Sequence, residues 1–327
     1  MIDIIACFLL IIAFLLLPVV ISMVIETMRK QPGIPTSLYW SDEIPIQYTM
    51  VDGMRIRYIK TGQGPNLVLL HTLRTQLDIF QKVIPELSRH FTVYAFDYPG
   101  HGFSDIPETE YTPDFFVNFV SNFLEVMKID NTTLAGISIG GSIPLLIAAN
   151  QNTRVKNIIS INPYDYGNGK GVERGNFIAC LIFTLARIPV LGETVMRFRN
   201  RIVETKIMQG GVSSPESLTK DFLQQLWDSG IRKGHYRGFI NLIRNAGKWE
   251  KVRSRYANIK IPVLLVYGDQ DWSRESERQR NIHEIPGARV EFVENGGHFL
   301  SLDQPDAVIK LIKQNANAWI EEGKNLA

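Results

Sequence analysis

The sequence predicts an α/β fold in which a mostly parallel central sheet carries helices on both faces. Apolar strand-like runs alternate with helical segments between residues 66 and 161, which is typical of right-handed strand–helix–strand units. A very tight strand-to-helix turn is expected at residues 136–140. Two segments depart from the alternation, a charge-free apolar run at residues 4–25 and a stretch at 164–256 with helical patterns only. The prediction is therefore a parallel core with a helical cap insertion and an N-terminal transmembrane helix.

The composition of the chain argues against several classes of protein. A chain of 327 residues with 45% apolar residues suits one large domain with an insertion, or two small domains. A net charge of +2 argues against a nucleic-acid binder. Neither a metal nor an organic cofactor is expected, because the six histidines have no metal-ligand spacing and no glycine-rich segment fits a nucleotide fingerprint. The two cysteines, Cys7 and Cys180, are expected to be buried free thiols.

The apolar run at residues 4–25 is 22 residues long, enough to cross a hydrocarbon core of about 30 Å as a helix. A cleaved signal peptide is the competing interpretation, but no basic residue precedes the run and no small-x-small site follows it. We therefore predict a single-pass transmembrane anchor at 1–30. Asp3 precedes the run, and Arg29 and Lys30 follow it, partly offset by Glu26, so the C-terminal part is expected to face the cytoplasm.

The segment after the anchor is rich in proline and glycine, which predicts an extended linker at 31–45. The first part of the core is assigned to 46–163. It begins with strand-like runs at 46–50 and 54–59 on either side of a short turn, a pattern that predicts an antiparallel hairpin.

Buried strands are predicted at 66–70 and 91–96, because both are continuous apolar runs. The spacing of apolar residues predicts one covering helix over 76–87. A further helix is expected to begin after Thr112, which supplies an N-cap followed by a proline. Arg74, which follows the first strand, either faces substrate or is a solvated or salt-bridged side chain.

The predicted tight turn is a G-x-S-x-G motif with Ser138 at its centre. The strand before it and the helix after it pass so close that Gly136 and Gly140 leave no room for larger side chains. With this motif, the sequence resembles the α/β-hydrolase family, in which such a turn is the nucleophile elbow.

Two other segments carry the same resemblance. Residues 97–104, Asp-Tyr-Pro-Gly-His-Gly-Phe-Ser, resemble the family's Asp-x-x-Gly-x-Gly-x-Ser turn. The end of the first parallel strand, His-Thr-Leu, matches the family's His-Gly-X, except that Thr72 replaces the glycine. The resemblance implies that the backbone N–H groups of Leu73 and Ile139 form the oxyanion hole.

A serine hydroxyl needs an imidazole to take its proton and a carboxylate to orient that imidazole. The chain offers Ser138, Asp271 and His298 after three separate predicted strands, in the family's order of Ser, Asp and His. These are the predicted nucleophile, orienting acid and general base. Asp269 is the nearby alternative for the acid, and Asp165 is a more distant one.

The helical segment at 164–256 is interpreted as a cap over the active site, and 257–327 as the second part of the core. The cap carries 16 Lys and Arg against 8 Asp and Glu, a net charge of +8, which leaves −6 for the rest of the chain. The cap could therefore contact anionic lipid headgroups, or this charge could be an ordinary solvated face. Apolar residues at 177–195 could line an acyl pocket or pack against the core.

The predicted reaction is hydrolysis of a carboxylic ester, either a small molecule or a lipid. The anchor and the basic cap favour a lipophilic substrate. A serine at the elbow disfavours the haloalkane dehalogenase and epoxide hydrolase branches, which resemble this fold but have aspartate there. Acyl transfer, and cofactor-free haloperoxidase or carbon–carbon hydrolase chemistry, would use the same triad. A ligand-binding protein without catalytic activity is the alternative of another class. Oligomeric state is not predicted.

Overall fold

An eight-stranded sheet forms the centre of the computed structural model, which describes residues 2–325. The predicted anchor at 1–30 and the predicted last segment at 257–327 each extend beyond that range. The strands are β1 (Gln47–Val51), β2 (Met54–Thr61), β3 (Asn66–Leu70), β4 (Thr92–Phe96), β5 (Thr132–Ile137), β6 (Val155–Ile161), β7 (Val263–Gly268) and β8 (Arg289–Val293).

The strands lie in the order β1-β2-β4-β3-β5-β6-β7-β8. The hairpin β1–β2 is antiparallel and β2 also pairs antiparallel with β4, whereas every other neighbouring pair is parallel. The predicted mostly parallel sheet is confirmed. Because parallel strands point the same way, the loops after β3, β5, β7 and β8 all leave the sheet at its carboxyl edge. This edge brings together segments that are far apart in sequence.

The central strands are buried on both faces, as their continuous apolar sequences predict. Every residue of β5 and of β7 is buried. Side chains of β3 alternate between two apolar clusters, with Val68 and Leu70 in one and Leu67 and Leu69 in the other. This period of two places a separate helical layer against each face of the sheet.

Helices surround the sheet and fill the segment between β6 and β7. They are α1 (Ile2–Met28), α2 (Ile84–Leu87), α3 (Pro113–Val126), α4 (Ile139–Ala149), α5 (Phe177–Ala186), α6 (Leu191–Arg197), α7 (Arg201–Gln209), α8 (Lys220–Gly230), α9 (His235–Asn245), α10 (Lys248–Lys251), α11 (Glu275–Glu284), α12 (Leu300–Asp303) and α13 (Pro305–Asn325). Short 3₁₀ turns occur at Leu77–Phe80, Gly167–Gly169, Gly171–Arg174, Pro215–Ser217 and Val252–Asn258. We call the segment that carries α5 to α10 the cap.

One predicted helix is wrong. Residues 76–87 form the 3₁₀ turn Leu77–Phe80 and the four-residue α2 instead of one continuous helix. Pro85, in the first turn of α2, has no N–H to donate to the preceding turn, so it starts a new helix. The predicted N-cap of α3 is present, because the Thr112 side chain accepts a hydrogen bond of 3.2 Å from the N–H of Phe115.

The N-terminal helix is long and apolar. Among the residues described, α1 alone meets the length and composition needed to cross a membrane, over Ala6–Met28. Only 7% of its most apolar window is buried against the rest of the chain. A signal sequence near the N-terminus has the same composition, so this helix by itself fixes neither membrane anchoring nor orientation.

The segment predicted as an extended linker packs partly on the core. Leu38 and Ile44 are buried, and the Trp40 indole donates a hydrogen bond of 2.7 Å to the Asp78 carboxylate. The prediction of buried thiols is wrong, because Cys7 and Cys180 are both exposed. Cys180 lies on the outward side of α5, an apolar helix whose sequence alone does not distinguish an inner from an outer face.

Candidate active site

Ser138 stands between the last residue of β5 and the first residue of α4. Its backbone has φ 63° and ψ −122°, a strained conformation for a residue with a side chain. A Cβ added to Gly136 would lie 2.0 Å from the carbonyl oxygen of Gly140, and one added to Gly140 would lie 2.1 Å from that of Leu70. The strand and the helix therefore approach as closely as the motif predicts, and both glycines are sterically required.

Asp271 and His298 form a buried pair at the same edge of the sheet. The His298 Nδ1 atom lies 2.5 Å from Asp271 Oδ1, and both side chains are fully buried. Asp271 follows β7, and His298 lies in the loop between β8 and α12. Within residues 2–325, the buried Nε2 atom of His298 has no hydrogen-bond partner. An Nδ1–H that donates to the carboxylate leaves Nε2 as a free acceptor, the tautomer that a general base needs.

Asp271 is ionised at neutral pH. Burial disfavours its charged form, but the electrostatic interaction with His298 and hydrogen bonds from His298 and Ser273 outweigh it, so the pKa of Asp271 is below its ordinary value. The backbone N–H of Ser273 donates to Asp271 Oδ2 at 2.9 Å, and the Ser273 hydroxyl donates to the same oxygen. The Arg278 guanidinium binds the Ser273 hydroxyl and carbonyl, both at 2.9 Å. Asp271 is thus held by a second layer of polar groups.

Asn162 joins the loops that carry the acid and the histidine. Its carboxamide oxygen accepts from the N–H of Gly268 at 3.0 Å. Its NH₂ group donates to the carbonyls of Gly297 and His298 at 3.0 and 3.1 Å. Asn162 has φ 43°, a left-handed conformation that asparagine tolerates better than most residues. The sequence analysis missed this residue; an asparagine directly after a buried strand and before a proline was the available signal.

Two residues connect Ser138 with His298. The Trp272 ring stacks on the His298 imidazole with 3.8 Å between centroids, and Trp272 and Ser138 line the same cavity. The N–H of Tyr164 donates to the Ser138 carbonyl at 3.2 Å, and the Tyr164 ring lies 6.3 Å from the His298 ring. No hydrogen bond joins the Ser138 hydroxyl to His298 among the described residues. Ser138 and His298 lie at the same edge of the sheet, and both are next to Trp272 and Tyr164.

Leu73 and Ile139, the predicted oxyanion-hole residues, flank Ser138. Ile139 is the next residue in the chain, and Leu73 lies in the turn after β3 and lines the cavity beside Ser138. In the described part of the chain, neither N–H donates a hydrogen bond to another backbone group. The carbonyl of Thr72, which replaces the family's glycine, accepts from His71 Nδ1–H at 2.8 Å and from the Thr75 hydroxyl at 3.0 Å. These bonds fix the turn that carries Leu73.

The alternative acids lie elsewhere. Asp269 is exposed and accepts from the N–H of Gly296 at 3.1 Å. Asp165 is buried and accepts from the Tyr256 hydroxyl at 2.8 Å and from Asn281 Nδ2 at 3.0 Å. Neither carboxylate forms an ion pair with His298, so Asp271 is the acid that the geometry favours. Among residues 2–325 no group of three or more His, Cys, Asp and Glu side chains could hold a metal ion.

Ser138 opens into a cavity of about 70 Å³ between the sheet edge and the cap. Most of the wall is apolar, with contributions from α5, α6, α7 and α9: Ile182, Phe183, Val195, Met196, Val203, Ile207, Met208 and Phe239. Such a wall excludes water and favours an apolar group next to the serine.

Arg74 and Glu204 form an ion pair in that apolar wall. The Arg74 Nη2 atom lies 2.8 Å from Glu204 Oε1, and the two side chains are 12% and 10% exposed. Arg74 Nη1 and Glu204 Oε2 are buried and lack partners within the described residues. The guanidinium carbon also lies 5.1 Å from the centre of the Phe239 ring. Of the two sequence-based interpretations, Arg74 is salt-bridged, and it also lines the cavity.

The chain matches a family model described as alpha/beta hydrolase fold over residues 65–305. That range includes the elbow, the cap and the Asp271 and His298 loops.

Individual relatives differ in their reactions. The carboxylesterase YbfK of Bacillus subtilis is 22% identical over 284 residues, which cover 82% of this chain and 86% of the relative. Epoxide hydrolase 3 of Xenopus tropicalis is 22% identical over 274 residues, covering 80% and 74%. The haloalkane dehalogenase DbeA of Bradyrhizobium elkani superposes with a TM-score of 0.75 at 17% identity, covering 86% of this chain and 100% of that structure. These three proteins are hydrolases by name, whereas another relative, from Cupriavidus necator and 25% identical over 270 residues, is the acetyltransferase component of an acetoin cleaving system. The structural match shows a shared fold.

Proposed function

Because the chain belongs to the alpha/beta hydrolase fold family, we propose that it is a serine hydrolase that cleaves a lipophilic carboxylic ester. One observation carries the proposal: Ser138, in a strained elbow, opens into an apolar cavity beside the buried His298–Asp271 pair. The carboxylesterase among the relatives supports the ester as the bond that is cleaved.

In the proposed reaction the Ser138 hydroxyl oxygen attacks the ester carbonyl carbon, and its proton passes to His298 Nε2. The carbonyl oxygen becomes an oxyanion that accepts hydrogen bonds from the N–H groups of Leu73 and Ile139. Collapse of this intermediate releases the alcohol, which takes the proton from His298 and leaves an acyl-serine. Water then attacks the acyl-serine with the same proton path, and the carboxylic acid leaves. Asp271 keeps the imidazole in the required tautomer throughout.

The chemistry of the intermediate favours esters over epoxides and haloalkanes. A serine that displaced a halide or opened an epoxide would become an ether, which water does not cleave at neutral pH. A serine that attacks an ester becomes an acyl ester, which the same His298 can hydrolyse. A residue of this type at position 138 therefore supports turnover on carbonyl substrates.

The cavity supports an apolar acyl group and limits its size. Its volume of about 70 Å³ is well below the roughly 300–1,000 Å³ of typical ligand sites. A larger ester would therefore require the cap helices α5 to α7 to shift outward. Hydrolysis rates of esters with graded chain length measure the largest acyl group that the cavity can accept.

A fluorophosphonate probe tests the nucleophile. Wild-type protein should be labelled and Ser138→Ala should not, whereas Ser142→Ala, a buried serine one helical turn later, should retain labelling. Folded wild-type protein that resists labelling would instead favour a ligand-binding role. Release of p-nitrophenol with and without an added alcohol separates hydrolysis from acyl transfer, because a transferase would form the new ester.

Membrane anchoring by α1, with the remainder on the cytoplasmic side and the basic cap near anionic headgroups, is part of the same proposal. Protease digestion of sealed membrane vesicles of known orientation tests it. The region after α1 should be digested only when the cytoplasmic face is outside. Release of the protein by alkaline carbonate would contradict a spanning helix.

A further inference from the structure

Exposed apolar side chains are concentrated in one segment of the cap, from α5 to the start of α7. Beyond α1, eleven large apolar residues are exposed in the described chain, and seven of them lie between positions 177 and 202. Phe177 is 80% exposed and Ile202 is 71% exposed. Single exposed apolar residues are ordinary, but a cluster marks a surface that another phase or molecule covers. We call these seven residues the apolar cap surface: Phe177, Leu181, Ile188, Val190, Leu191, Phe198 and Ile202.

The helix α5 supplies the first part of this surface. It contains no charged residue, and its buried side chains Ala179, Phe183 and Ala186 occupy one face only. Phe177, Cys180 and Leu181 occupy the opposite, exposed face. A soluble helix normally carries several polar or charged residues on its outer face, whereas α5 exposes the single hydroxyl residue Thr184. Its composition is that of a helix with apolar surroundings on both sides.

The end of α1 is fixed to the same part of the cap. The helix α1 packs against α6, and Ser22 and Glu26, one turn apart, are the buried residues of α1 among those whose side chains the structure describes. Glu26 forms an ion pair with Arg199 at 2.8 Å, and the Arg29 guanidinium donates to the carbonyl of Arg197 at 2.7 Å. The position of α1 therefore determines where the apolar cap surface lies.

The length of α1 sets the depth of this contact. The charge-free run at 4–25 is 22 residues long, so it measures about 33 Å as a helix, against a hydrocarbon core of about 30 Å. Ser22 lies inside that run, about 5 Å from its C-terminal end. The C-terminal end of α6, where the Arg197 carbonyl accepts from Arg29, is then level with the membrane interface, where apolar faces of surface helices are immersed.

Cations lie next to this surface. Arg201 and Lys206 of α7 are exposed close to Phe198 and Ile202 in the chain. At an interface, apolar side chains reach the acyl chains while adjacent basic residues meet anionic headgroups. This arrangement of charge and apolar area matches a lipid leaflet better than it matches a second copy of a similarly basic cap.

The apolar cap surface and the active-site cavity are two sides of one helical layer. Ile182 and Phe183 of α5 line the cavity that contains Ser138, and Leu181 of the same helix faces outward. We propose that the apolar cap surface is immersed in the acyl chains of the leaflet where α1 ends, so that a lipophilic ester reaches Ser138 from the bilayer. This inference rests on the anchoring and the ester hydrolysis proposed above.

Spin-label depth measurements test the placement without using activity. The full-length protein is placed in vesicles of phosphatidylcholine and phosphatidylglycerol, with a nitroxide on native Cys180 in a Cys7→Ala background. Collisions with oxygen and with a water-soluble nickel chelate report depth. The label at Cys180 should lie about 5–10 Å below the headgroups. Labels at Leu15→Cys, in the middle of α1, and at Glu125→Cys, at the end of α3, give the deep and aqueous references, each in a protein with both Cys7→Ala and Cys180→Ala.

The accessibility of the labels at positions 180, 125 and 15 separates the inference from the anchoring on which it rests. A Cys180 label as accessible to the nickel chelate as the label at 125 overturns the inference while leaving anchoring intact if the label at 15 is deep. Shielding of Cys180 from both reagents indicates a protein contact and also overturns it. An aqueous label at 15 overturns anchoring and, with it, the inference.

Hydrolysis measurements then test whether the ester reaches Ser138 from the bilayer. Phe177→Ser and Ile202→Ser should each lower hydrolysis of a bilayer-embedded ester about tenfold and leave hydrolysis of a soluble short ester unchanged. Phe292→Ser, an exposed apolar residue on β8, is the matched control and should affect neither substrate. An equal loss of hydrolysis on both substrates, or no loss on the embedded ester, overturns the inference that the ester comes from the bilayer. Absence of activity on every ester in the wild type would instead remove the proposed function.

Discussion

The two sides of the cavity around Ser138 are built by different forces. On the sheet side, behind the cavity-lining Trp272, a buried network of polar residues is joined by hydrogen bonds, and we call this network the polar wall: Asp271, His298, Asn162 and Ser273. On the cap side, the lining is mostly apolar, and its polar members are Arg199, Asn200 and Glu204, the last paired with Arg74. Trp272 joins the two sides, because its ring stacks on His298 and its indole N–H donates to the carbonyl of Gly210 at 2.7 Å.

We expect the polar wall to control the chemical step and the cap to control binding of the acyl group. Directional hydrogen bonds fix the imidazole and carboxylate to within a fraction of an ångström, as proton transfer requires. Apolar packing has no direction, so the cap can repack around different acyl groups at modest cost. Substitutions in the polar wall should therefore lower kcat, and substitutions in the cap should change stability, KM or chain-length preference.

The largest expected effect is in the polar wall. Asp271→Asn should lower kcat for ester hydrolysis roughly 10,000-fold with little change in KM, because an amide does not hold His298 in the required tautomer. Asp269→Asn is the matched control, since Asp269 is exposed and lies two residues away. Similar losses in the two variants, measured with a soluble ester, would contradict the assignment of the acid.

At the ion pair between core and cap, Arg74→Met should lower the free energy of unfolding by about 3–5 kcal/mol, because it leaves the Glu204 carboxylate buried without its partner. The double variant Arg74→Met/Glu204→Met should recover most of that loss, since it replaces both charges with apolar groups. Urea unfolding in detergent, followed by tryptophan fluorescence, measures both. A loss in the double variant equal to the sum of the losses in Arg74→Met and Glu204→Met would show that the pair is not coupled.

Asn162→Ala should destabilise the polar wall by roughly 3 kcal/mol and also lower kcat, because the N–H of Gly268 and the carbonyls of Gly297 and His298 lose their partner. Asn157→Ala is the control within the same strand, β6. Its carboxamide oxygen is buried and has no partner in the described chain, so its loss should cost less. A larger loss at 157 than at 162 would contradict the role of Asn162.

The smallest expected effect is a change in stability at low pH. The folded-state pKa of Asp271 is below the ordinary value of about 3.9, so its pairing stabilises the fold above that pH. The contribution is lost as the pH falls through the lower folded-state pKa. The difference in free energy of unfolding between wild type and Asp271→Asn should shrink as the pH falls below about 4. A difference in free energy of unfolding that grows on acidification would contradict this prediction.

Local rules made part of the fold predictable. The close approach at Gly136 and Gly140, the antiparallel hairpin and the N-cap at Thr112 depend on steric and hydrogen-bonding preferences of neighbouring residues, and each is present as predicted. The helix expected over 76–87 failed because apolar spacing was given more weight than Pro85. Exposure of Cys180 was missed because an apolar helix has no polar face to reveal its orientation.

The site was less predictable than the fold. Ser138, Asp271 and His298 could be proposed because each follows a predicted strand in the family's order, and their catalytic roles stay predictions. Asn162 could not be assigned a role, because its partners at 268, 297 and 298 are more than 100 residues away. The pairing of Arg74 with Glu204 spans 130 positions and was one of several interpretations that the sequence left open.

By itself, the sequence determined the features that arise between near neighbours: the strained elbow, the period of the strands and the length of the apolar N-terminal helix. Tertiary structure alone decided that His298 meets Asp271, that Arg74 meets Glu204 across the cavity and that Glu26 of α1 meets Arg199 of the cap. The physical reason is that side-chain and backbone sterics act within a few residues, whereas contacts across 27 to 173 positions exist only once the sheet and the cap have packed.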